Sequence, residues 1–101
     1  MDTKDLEKFV ISVSNQAFKL AQDAAQGTGD KGDRNEKARA LNGRLDELLP
    51  RVKIAPANLQ PTLDAAWTDA RLDVGYVLSN GMLPTSTRMH HFLEDQKRAK
   101  R

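Results

Sequence analysis

Apolar residues along the chain recur every three or four positions, in runs separated by glycine-rich or proline-bounded breaks. This is the period of an amphipathic α-helix, in which 3.6 residues complete a turn and one face gathers the apolar set. The run Leu59, Leu63, Ala66, Trp67, Ala70, Val74, Val77 and Leu78 contains the chain's single Trp and predicts a central helix over 59–79. Either Asn58 or Gln60 can cap it, and Pro61 suits a first turn that has no N–H partner to lose.

A first helix is expected over 3–26. Asp2 or Thr3 can serve as its N-cap, and Leu6, Phe9, Val10, Val13, Ala17, Leu20 and Ala24 form its main stripe. At 1.5 Å per residue it reaches ~36 Å, which favours an elongated bundle over a sphere. A connector of glycine and polar residues follows, 27–33. It spells G-x-G-x-x-G, but a long amphipathic helix precedes it where the dinucleotide fingerprint needs a strand.

Asp33, with Glu36 three positions on, reads as the capping box of a second helix over 34–49. Its seam is Ala38, Leu41, Leu45 and Leu48, and Pro50 reads as its stop. Residues 51–58 read as an extended linker in which Val52 and Ile54 face the core. Ser79-Asn80-Gly81 can end the central helix in a left-handed cap. Thr85, Ser86 or Thr87 then caps a last helix over 86–97, docked by Met89, Phe92 and Leu93. The fold class is all-α, an elongated bundle of three to four helices. With 101 residues there is one core and one domain, 1–96, followed by a basic tail, 97–101.

Two helices carry a second apolar stripe. Ile11, Phe18 and Ala25 repeat every seven residues beside the main stripe of the first helix, and Ala65, Leu72 and Tyr76 lie opposite Trp67. An arc this wide exceeds what a surface helix needs. Either another helix of the same chain covers Ile11 and Phe18, or the second stripes are an interface. The interface reading predicts a homodimer or an obligate partner protein, with Ile11, Phe18, Leu72 and Tyr76 as the contact set.

Composition removes several chemistries. The chain has no Cys, so disulfides, thiol catalysis and a Cys-bound zinc are excluded. His90 and His91 are adjacent, so on a helix they point about 100° apart and do not share a metal ion readily. No Ser or Thr stands in a recognisable triad context. The expectation is a protein that is not an enzyme, with no cofactor and no metal. The acidic start, Asp2 to Asp5, is unlike a secretory signal, and no apolar run approaches ~18 residues. A soluble, cytoplasmic protein without membrane contact is the corresponding expectation.

Charge adds one alternative. The net +2 conceals basic segments, 34–53 and 85–101, alternating with acidic ones, 1–33 and 54–84. Helix, glycine turn and helix ahead of a basic end give a loose match to helix-turn-helix DNA readers, although the connector is longer than usual and holds Pro84. The favoured function is therefore a small helical protein–protein interaction module, an adaptor, inhibitor or regulator acting through apolar helix faces. The alternative is a nucleic-acid-binding regulator using Arg88, Lys97, Arg98, Lys100 and Arg101.

Overall fold

Asp2 starts the first element by accepting a hydrogen bond from the Asp5 amide at 3.0 Å, and Gly27 ends it in the left-handed region at φ 70°. That element is α1 (Thr3–Gln26) in the computed structural model, which describes residues 2–99. It is followed by α2 (Lys31–Lys53), α3 (Gln60–Leu78) and α4 (Thr87–Ala99). Among the described residues there is no strand, and the bundle measures 45 × 27 × 19 Å. The all-α, elongated expectation holds.

The connector after α1 is shorter than its glycines suggest. Asp30, not Asp33, caps α2, its side chain accepting from the Asp33 amide at 3.0 Å. Gly32 and Asp33 fall inside the first turn, where a backbone N–H lacks an intrahelical acceptor in any case. Arg34 reaches back and donates from Nη1 to the carbonyls of Thr28 (2.7 Å) and Gly29 (2.8 Å), which fixes the turn.

At its other end α2 runs through Pro50 to Lys53. The seam of Leu41, Leu45 and Leu48 continues to Val52, which is fully buried, and that burial outweighs the missing proline N–H. Ile54, expected to face inward beside Val52, is 83% exposed. Gln60 does not cap its own helix. Its Nε2 donates to the carbonyls of Lys53 (2.6 Å) and Ala55 (3.2 Å) and closes the end of α2. Leu59 holds the cap position of α3 without a side-chain bond, and Pro61 opens the helix.

α3 is the centre of the molecule. It packs against α1 and α2, and α4 touches only α1 and α3. Val10, Val13, Ala17 and Ala21 of α1 meet Leu63, Ala70, Val74 and Val77 of α3, with Leu45 of α2 and Met89 of α4 also buried. Trp67 is only partly buried, and its indole N–H donates to the Leu45 carbonyl at 2.8 Å. Phe9 and Leu78, assigned to the apolar stripes by their spacing, are exposed at the edges of those stripes. Asn80 and Gly81 end α3 at φ 56° and 81°, the left-handed backbone expected there.

Candidate partner-binding surface

α1 presents two surfaces, one covered by α4 and the other open. On the covered side, α4 is held by a buried polar network that begins at Ser86. The Ser86 hydroxyl accepts from the Met89 amide (3.2 Å), capping α4, and donates to Asp73 Oδ1 at 2.6 Å. Arg88, the second residue of α4, donates to Asp73 Oδ2 from Nε (3.0 Å) and Nη2 (2.8 Å). Its Nη2 also reaches the Ser14 carbonyl of α1 at 2.9 Å. The Ser14 hydroxyl in turn donates to the Ala66 carbonyl of α3 at 2.8 Å. Four side chains thus join α1, α3 and α4.

Asp73 is 0% exposed. Burial raises the pKa of its carboxyl, while the Ser86 hydrogen bond and the Arg88 guanidinium act in the opposite direction and Asp69 adds a further upward push. The Arg88 guanidinium also lies 4.7 Å from the centre of the Phe18 ring, and Phe92 meets that ring edge-on at 6.5 Å. Phe18 is therefore covered by α4 of its own chain.

On the open side, α1 and α2 line a groove of about 890 Å³. Leu20 and Leu41 form its buried floor, and Ile11 is exposed along it. Ala40 lines the α2 wall, a small residue that lets a neighbouring backbone approach closely. Lys8 and Lys19 stand on the α1 side, and Lys37 and Arg44 on the α2 side. The carboxylates of the lining are Glu7 and Asp23, and Asp23 is already paired with Lys19 at 2.9 Å.

The four residues expected to form one contact set occupy different environments. Ile11 lies in the groove, Phe18 under α4, and Leu72 is half-buried on α3. Tyr76 packs against the core and lines a separate hollow of about 350 Å³ with Lys31 and Arg34. Of the residues assigned to nucleic acid, Arg88 is engaged with Asp73. Lys97, which stands 3.9 Å from Glu94, and Arg98 are exposed on the last turn of α4, which runs to Ala99. Lys100 and Arg101 lie outside the described residues.

The buried network was missed by sequence reasoning, yet it left a signal. Asp73 stands in the apolar seam of α3, seven residues after Ala66 and three after Ala70, where a carboxylate requires a buried partner. Ser86 and Arg88 follow just beyond the crossover. Ser14 interrupts the α1 stripe in the same way. The groove itself has no such signal, since it depends on how far apart two helices lie.

Among the described residues, no group of three or more His, Asp or Glu is placed to hold a metal ion, and no helix is long and apolar enough to cross a membrane. His90 and His91 are both exposed. Comparison of the chain with protein-family models, with curated proteins and with solved structures gave no match.

Proposed function

We propose that the protein is a small, non-catalytic interaction module that binds a partner protein through an exposed apolar helix face. The observation that carries this reading is the open groove between α1 and α2, with Leu20 and Leu41 at its floor and Ile11 exposed along it. A concave apolar surface on so small a molecule favours association, because covering it removes apolar area from water. Adaptor, inhibitor and regulator are all compatible with such a surface.

The nucleic-acid reading has less support. Arg88 is committed to a buried carboxylate, which leaves Lys97 and Arg98 as its exposed cations on α4. Affinity capture at low salt from cells that express the protein, with and without nuclease, separates the two. The expected result is a defined protein that co-elutes and survives nuclease. Co-elution of nucleic acid alone, lost with nuclease or salt, contradicts the proposal.

A further inference from the structure

We infer that the groove between α1 and α2 seats a single amphipathic helix with acidic flanks, supplied by a partner protein; this deepens the interaction reading above and rests on it. Three observations lead to that occupant.

The first is shape. Lys37, Ala40, Leu41 and Arg44 stand on α2 at i, i+3, i+4 and i+7, and Ile11 and Asn15 on α1 at i and i+4. Such rows are the ridges into which a third helix interdigitates. The α1 lining runs from Glu7 to Asp23, or ~24 Å at 1.5 Å per residue, enough for a helix of three to four turns, of which about two face the shorter α2 wall from Lys37 to Arg44. With α3 already filling one side of the α1–α2 pair, a helix in the groove would complete a second layer on the other.

The second is charge. Lys8, Lys37 and Arg44 make no ion pair among the described residues, and Lys19 is paired with Asp23. Glu7 is the one unpaired carboxylate in the lining. The rim therefore offers three uncommitted cations against one uncommitted anion, which is complementary to Asp and Glu flanking an apolar stripe. A second copy of this chain that presented its own groove face would set these cations against one another. A nucleic acid would meet the apolar floor and the carboxylates of Glu7 and Asp23, a poor match for phosphates.

The third is topology. The helix of this chain best placed to cover α1 from outside, α4, is fixed elsewhere by the Asp73–Arg88 pair and by Phe18 against Phe92. It packs against α1 and α3 and makes no contact with α2.

The test displays a library of helical peptides of about 18 residues, with a fixed leucine seam and randomised flanks, against the full-length protein at low salt. Selected binders should be enriched in Asp and Glu at the flanks. Ile11→Glu should abolish their binding, and Lys37→Glu with Arg44→Glu should weaken it about tenfold or more. Circular dichroism should show unchanged helicity in both variants, since all three positions are on the surface. No enrichment, flanks without an acidic bias, or binders indifferent to Ile11→Glu would overturn the inference. Wild-type self-association that Ile11→Glu reverses would also overturn it, in favour of a second copy. A cellular protein captured equally by wild type and Ile11→Glu would remove the groove but leave the interaction reading. Capture of nucleic acid alone would remove both.

Discussion

Asp73 is the residue on which the position of α4 depends. Its carboxylate accepts three hydrogen bonds from Ser86 and Arg88 in a site without solvent exposure. Replacing a buried pair by apolar residues can be harmless, whereas removing one partner leaves a charge without compensation. Arg88→Met should therefore destabilise the protein by about 3 kcal/mol near neutral pH. The pH dependence has a definite sign. Because the folded state raises the Asp73 pKa, it holds the proton more tightly than the unfolded chain does. The stability from this group is then present below the ordinary aspartate value and lost as pH rises through the raised one. Without Arg88 the carboxyl is raised further, so the penalty of Arg88→Met should be smaller at pH ~4.5 than at pH ~8. Urea unfolding of both proteins at the two pH values measures this. A penalty independent of pH would mean that Asp73 does not titrate with folding.

At the scale of the helices, periodicity made most of the fold legible. The seam of Ala38, Leu41, Leu45 and Leu48 is buried as its spacing requires, and Leu63, Ala70, Val74 and Val77 form the inner face of α3. The ends were less legible, because an end is decided by competition between neighbouring caps and by tertiary burial. Asp30 and Asp33 both have the chemistry of an N-cap, and only the path of the chain selects Asp30. Pro50 removes one hydrogen bond from α2, but Val52 lies seven residues after Leu45 and extends the same buried face. A measurable difference follows from the helical reading of 51–53. Val52→Ala should lose about 1.5 to 3 kcal/mol, while Ile54→Ala, at an exposed position, should stay within about 0.5 kcal/mol of wild type. Equal effects at the two positions in thermal or urea unfolding would restore the extended linker, in which both side chains face the core.

For the whole molecule, the second apolar stripes divide between two fates. Phe18 and Tyr76 are accounted for within the chain, the first by α4 and the second by the core beside it. Ile11 is not, because it lies exposed along the groove between α1 and α2. Sequence periodicity identified the width of the apolar arc on α1 but had no access to which part of it α4 would cover. That choice depends on Asp73, Ser86 and Arg88 meeting across the crossover. The electrostatics follow the same division, since Arg88 neutralises a buried acid on one side of α1 while Lys8, Lys37 and Arg44 remain uncommitted on the other.

The most direct measurement is photocrosslinking inside cells that express the protein, with a photoreactive residue at position 11 and, as the control, at position 54. Both sites are surface positions with apolar side chains, and only the first lies in the groove. A discrete protein adduct is expected from position 11 and not from position 54. Adducts of equal yield from both positions, or adducts to nucleic acid alone, would contradict this.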